Sequence, residues 1–131
     1  MGSWEKALLL SRFALEKKAY NLVLMEVSEI TSIADYFIIC SGRSDRQVQS
    51  IAQGIEENLG KIGISPLSVE GLTWGQWVLM DFSDVIVHVF YQPMREFYDL
   101  EGLWAHAPRV DLPEPYSTLV NQFRIRNESL P

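Results

Sequence analysis

The sequence predicts an α+β sandwich around a mixed five-stranded sheet, and three observations carry that prediction. Helical and strand periodicities follow one another as helix, two strands, helix, three strands and helix in under 110 residues. The last two strands are separated by only two residues, Ser83 and Asp84, so they form a hairpin. Hydrophobic residues make up 47% of 131 residues, enough for one core and short of two.

The first helix spans residues 4–18. Ala7, Leu8, Ser11, Leu15 and Lys18 follow helical spacing, and Leu9, Leu10 and Phe13 widen its apolar arc. Asn21 breaks that pattern, and 22–27 (LVLMEV) is a strand buried on both faces. Residues 28–34 are polar and turn-like. The second strand, 35–41, is rich in aromatic and β-branched residues, which fit a pleated sheet. Gly42-Arg43-Ser44-Asp45 ends it, with Ser44 placed to N-cap the next helix. That helix runs to residue 61 with Val48, Ile51, Ala52, Ile55 and Leu59 along one face, and Gly60 and Gly63 bracket its end. A short strand at 66–70 and a loop at 71–75 lead into the hairpin, 77–82 and 85–91. Pro93 opens a short helix through residue 100, where proline in the first turn is tolerated. Prolines 108, 113 and 115 make the chain extended, and 116–126 forms a short appended helix. The domain therefore covers 1–107, followed by a proline-containing extension at 108–131.

Composition excludes several classes of function. Acidic residues outnumber basic ones 17 to 11, a formal charge of −6. Nucleic-acid affinity comes mainly from Lys and Arg neutralising phosphates, so tight direct RNA binding is disfavoured and a basic protein partner is favoured. No apolar run approaches the roughly 20 residues that cross a bilayer. Glu5 and Lys6 interrupt the N-terminal apolar residues, unlike a signal or transit peptide. The single cysteine, Cys40, precludes an internal disulfide and fits a reducing cytoplasm.

The hairpin sorts its side chains by face. With Ser83 and Asp84 as loop residues, Phe82, Met80 and Val78 face Val85, Val87 and Val89 and make one side uniformly apolar. The other side sets Trp77, Leu79 and Asp81 opposite Phe90, His88 and Ile86. One reading places Trp77 and Phe90 in a second core layer. The other makes Trp77, Leu79, Asp81 and His88 a protein-binding face, joined by Tyr98, Glu101, Leu103 and Trp104 from the following segment. Tryptophan and tyrosine are enriched at interface hot spots. Glu96, Asp99 and Glu101 would supply an acidic rim to a basic partner.

The ordered set 35–42 (DYFIICSG), 69–71 (VEG), Trp77, 84–89 (DVIVHV) and 98–104 (YDLEGLW) resembles the ribosomal silencing factor family, also called Iojap-like proteins, over residues 4–107. The resemblance implies a sheet related to the nucleotidyltransferase fold. It implies a translational regulator without enzymatic activity, which needs no cofactor and docks on the large ribosomal subunit through the basic fourteenth large-subunit protein. Bound there, it would block joining of the small subunit when nutrients are limiting. Trp77, Tyr98, Glu101 and Trp104 become contact candidates. An exposed Trp–Tyr patch also predicts a homodimer when the chain is free.

Two alternatives stand beside this reading. One is an assembly factor for the large subunit that uses the same surface. The other is a surviving nucleotidyltransferase, suggested by Gly42-Arg43-Ser44 ahead of a helix. Such an enzyme needs carboxylates two apart on a strand to hold Mg²⁺. Here Asp45 lies in the turn, Asp81 and Asp84 are three apart across a loop, and no Asp-x-Asp follows. Two histidines and one cysteine without metal-ligand spacing make no zinc site. His88, among valines, reads more readily as a structural histidine than as a base.

Overall fold

The computed structural model describes residues 1–124 of the chain. Its elements are α1 (Ser3–Glu16), β1 (Tyr20–Glu26), β2 (Tyr36–Gly42), α2 (Asp45–Gly60), β3 (Ser68–Glu70), β4 (Trp77–Asp81), β5 (Val85–Tyr91), α3 (Gln92–Tyr98), α4 (Leu100–Leu103), β6 (Arg109–Val110) and α5 (Tyr116–Gln122). The strands form one mixed sheet in the order β3-β4-β5-β2-β1-β6. Only β2 and β5 run parallel; the other neighbours are antiparallel. The parallel pair sits at the centre, where both faces are covered, as parallel strands require.

The helices α1 and α2 cover one face. Ala7, Leu10 and Ala14 of α1 and Val48, Ile51 and Ile55 of α2 are fully buried there. They meet Val78, Met80, Val87 and Val89 of the hairpin in a single apolar cluster. Each of the valine, leucine, isoleucine and methionine side chains contributes about 1.5–3 kcal/mol relative to exposure, and each alanine methyl less. Ser44 caps α2 as expected, its Oγ accepting from the Gln47 N–H at 3.1 Å. Ser3 does not cap α1; Gly2 occupies that position without a side-chain bond.

The hairpin register is the one that follows from Ser83 and Asp84 as loop residues: Trp77 opposite Phe90, Val78 opposite Val89, Leu79 opposite His88, Met80 opposite Val87 and Asp81 opposite Ile86. Its turn uses a left-handed Ser83 (φ 78°) whose N–H donates to Asp81 Oδ1 at 2.8 Å. Serine-aspartate is a weak hairpin turn by residue type, and the Asp81 carboxylate supplies the missing support.

Three expectations need correction. The sheet has six strands, not five, because Arg109 and Val110 pair with Met25 and Leu24 on the edge of β1. The prolines at 108 and 113 do keep this segment extended, but two non-proline residues between them suffice to close an otherwise bare edge. Second, the helix expected through residue 100 breaks at Asp99, which sits in the left-handed region (φ 46°) and ends α3 while capping α4. Third, α1 ends at Glu16, with Lys18 left-handed (φ 62°) at the turn into β1. The appended helix α5 ends at Gln122, and residues 125–126 of the expected helix lie outside the described residues.

Candidate protein-binding face

The second sheet face carries a smaller apolar layer of Met25, Phe37, Ile39, Ile86 and Phe90, with Trp77, Leu79 and Trp104 partly buried against it. It is covered by α3 and α4, which total eleven residues by their bounds, seven and four. So short a cover leaves aromatic surface in solvent.

Alternation along β4 and β5 turns Trp77, His88 and Phe90 onto this face. Trp77 stacks on Phe90 with centroids 4.8 Å apart and donates its indole Nε1–H to His88 Nδ1 at 3.1 Å. The Tyr98 ring of α3 lies 5.0 Å from Trp77, and Phe97 stands edge-on to Tyr98 at 5.3 Å. On the other side His88 meets Phe37 at 5.3 Å, and Phe37 meets Trp104 at 4.9 Å, both edge-to-face. The result is a continuous line of rings from Phe97 to Trp104. Its Phe97 end is open to water, with Phe97 77% and Tyr98 41% exposed, while Trp104 at the other end is half-buried and the neighbouring Leu103 is 78% exposed.

Of the eight residues expected at the site, Trp77, His88, Tyr98 and Trp104 come together in this array, and Leu103 projects from α4 nearby in sequence. Leu79 is half-buried in the same layer. His88 is buried, 4% exposed, so it supports the face from beneath. Burial drives the imidazole down to about 4, which keeps it neutral. Asp81 closes the hairpin turn at the far end of β4, about 13 Å along the strand from Trp77.

Glu101 is held from within. Its Oε1 accepts from Arg95 Nε at 2.7 Å and its Oε2 from Arg109 Nη2 at 3.2 Å. Burial raises its carboxyl, but the Arg95 hydrogen bond and charge, with the charge of Arg109, outweigh this and hold it below the usual range. Glu96 and Asp99, which flank Phe97 and Tyr98 in sequence, are exposed acids.

Phe97 is the contact-type residue that the sequence reading missed. A helical wheel over 92–98 sets Met94, Phe97 and Tyr98 on one side, more apolar surface than a seven-residue helix can bury. Arg95 was missed too, since a charged residue gives no sequence sign that it will be 7% exposed.

Elsewhere the groups that suggested chemistry are occupied. Ser44 Oγ caps α2 and Gln47 Oε1 accepts from the Arg43 N–H, so the Gly42-Arg43-Ser44 turn is closed on itself. Cys40 is buried, and burial pushes its thiol up to about 12 despite the charge of Arg95. Among the described residues no cluster of three or more His, Cys, Asp or Glu could hold a metal ion, and no helix is long and apolar enough to cross a membrane.

Fold and site define a small α+β domain with a mixed sheet, two long helices on one face and an aromatic array under two short helices on the other. The chain belongs to the ribosomal silencing factor family: the family model described as "Ribosomal silencing factor during starvation" (RsfS) matches residues 2–129, beyond the 4–107 of the sequence resemblance. The ribosomal silencing factor RsfS of Bacillus subtilis is 43% identical over 97 residues, covering 74% of this chain and 82% of that protein. The chloroplastic protein Iojap of Zea mays is 30% identical over 107 residues, covering 82% of this chain and 46% of that protein. A crystal structure of a protein from Chromobacterium violaceum superposes with a TM-score of 0.78 at 29% identity, covering 90% of this chain and 99% of that one. One from Bacillus halodurans superposes at 0.72 with 38% identity, covering 82% and 99%.

Proposed function

We propose that this ribosomal silencing factor docks its aromatic face on the basic fourteenth protein of the large ribosomal subunit and thereby excludes the small subunit. The observation that carries the reading is the line of rings whose outer members, Phe97 and Tyr98, remain in solvent with Leu103 although their inner neighbours are packed. Rigid aromatics anchored from below are the side chains that lose least entropy on binding, which is why they dominate interface hot spots.

The mechanism is steric. A 15.0 kDa body at the subunit interface is too large for side-chain rearrangement to accommodate, so occupancy alone decides the outcome. No bond is made or broken, and the scaffold is best understood as a nucleotidyltransferase-related sheet working without catalysis in the cytoplasm. Glu96 and Asp99 steer the encounter with a basic partner, and the overall charge of −6 leaves little role for rRNA. In the free chain the same rings pair two copies into a homodimer that competes with the ribosome. Residues 108–131 are an extension of the 1–107 domain, of which Arg109 and Val110 close the β1 edge while Arg109 reaches Glu101. Translation then falls when nutrients limit and the factor occupies free large subunits.

Co-sedimentation with purified large subunits tests the docking step. Tyr98→Ala, folded by circular dichroism, is expected to weaken binding about tenfold, roughly 1.4 kcal/mol. Wild-type binding by that variant and by Phe97→Ala would remove this face from the account.

A further inference from the structure

His88 is an expensive residue where it stands. It occupies the middle of a strand of aliphatics, 4% exposed, opposite Leu79 and beside Phe37. An indole N–H can only donate, so the 3.1 Å contact from Trp77 Nε1 requires an unprotonated Nδ1 and places the imidazole proton on Nε2. That Nε2 is buried and has no hydrogen-bond partner among the described residues. A buried donor left without an acceptor costs more than one neutral hydrogen bond returns. For folding alone, a leucine at this position would serve better.

We infer that His88 is a positioning residue: its Nδ1 fixes the Trp77 indole in the orientation that the docking face presents, at the expense of fold stability. This rests on the reading of Trp77 as part of that face. The geometry limits what Trp77 can do without the tether. One ring face is taken up by Phe90 at 4.8 Å and Tyr98 leans on it at 5.0 Å, but neither contact decides between the two orientations, a half-turn apart about the Cβ–Cγ bond, that keep the ring plane and exchange its edges. The hydrogen bond to His88 does, because it is directional. The neutral ring is the only form that can accept, and burial, which holds its titration down to about 4, keeps that form in place throughout the physiological range.

The test combines a spectroscopic readout with binding and stability, on the full chain. The four tryptophans give four indole N–H signals, and Trp77→Phe identifies the one belonging to Trp77. In wild type that signal is expected to exchange with water more slowly than the indole of Trp74, which is 52% exposed. In His88→Leu it should shift and exchange faster, affinity for large subunits should fall about tenfold, and the urea midpoint should stay level or rise. His88→Asn, whose Oδ1 can stand where Nδ1 stood, should recover slow exchange and most of the affinity. Opposite signs for stability and binding are what a purely structural histidine would not produce.

A lower urea midpoint with unchanged exchange in His88→Leu would overturn the inference, as would wild-type binding by that variant while Trp77→Ala binds weakly. Wild-type binding by Trp77→Ala as well would instead bring down the docking reading itself, and this inference with it.

Discussion

Arg95 and Glu101 join the two short helices that cover the aromatic face: Arg95 Nε donates to Glu101 Oε1 at 2.7 Å across the break at Asp99. The same guanidinium reaches into the sheet, where Nη1 donates to the Asn21 carbonyl and to Ser41 Oγ, both at 2.8 Å. One buried side chain thus fixes α3 and α4 to the ends of β1 and β2, and with them the positions of Tyr98 and Trp104.

Removing the cation should therefore damage both stability and binding. Arg95→Met leaves the Glu101 carboxylate partly buried with only the exposed Arg109 beside it, which should cost about 3 kcal/mol. Glu101→Gln keeps one acceptor and should cost less. Urea titrations of the two variants beside wild type measure the difference. Equal losses would show that Arg95 acts through Glu101 alone, and no loss in Glu101→Gln would show that it acts through Asn21 and Ser41.

The buried imidazole predicts an acid-side loss of stability with a defined window. Its folded value is lowered to about 4 from 6.5, so the unfolded chain binds the proton first as pH falls. Stability should be unaffected above pH 6.5, decline between 6.5 and 4 by about 3 kcal/mol, and level off for this group below 4. Glu101 adds a separate loss at lower pH, since its folded carboxyl sits below the unfolded value and its contribution disappears as pH drops through the folded one. His88→Leu should remove the first decline and keep the second. Thermal midpoints from about pH 7.5 down to about pH 2 separate them.

Gly71 lies at the exit from β3, where its lack of a side chain lets the backbone approach the Trp77 carbonyl. It adopts φ 83°, and a Cβ there would sit 2.1 Å from the Trp77 carbonyl oxygen. A left-handed L-residue costs about 1–2 kcal/mol before any clash, so Gly71→Ala should lose at least about 2 kcal/mol and shift the Trp77 indole signal. Gly60, with open space around its Cβ position, is the control: Gly60→Ala should be neutral or slightly stabilising.

Leu103 should matter to association and not to folding. At 78% exposure it has little burial to lose, so Leu103→Ser is expected to change stability by less than about 0.5 kcal/mol. Sedimentation velocity across a concentration series should show the wild-type chain self-associating and this variant shifted towards monomer. A wild-type monomer at every concentration would contradict the shared use of the face.

How much of this was legible depends on the range of the determining contacts. The division of the hairpin into faces could be read from alternation along each strand, whereas the cross-strand pairs depended on taking Ser83 and Asp84 as the loop. The buried face of α2 followed from helical spacing, and that of α1 in part: Ala7, Ser11 and Leu15 are buried, but Leu8 is half-buried, Lys18 is exposed beyond the helix and Ala14 is buried without having been expected. The break at Asp99 could not be read, since aspartate in the left-handed region leaves no mark in the surrounding pattern. Nor could the added strand β6, whose two residues are ordered by the edge they meet rather than by their own preferences. At the site, the aromatic residues announced themselves by type. The roles of Glu101 and His88 did not: one depends on an arginine across a helix break, the other on a diagonal cross-strand neighbour two residues from its direct partner.

The most direct test of the central claim is subunit joining, measured on sucrose gradients with purified large and small subunits, with and without the protein. Wild type should hold the subunits apart while co-migrating with the large one, and folded Tyr98→Ala and His88→Leu should let them join at the same concentration. Joining that proceeds despite saturating wild-type protein on the large subunit would contradict steric exclusion.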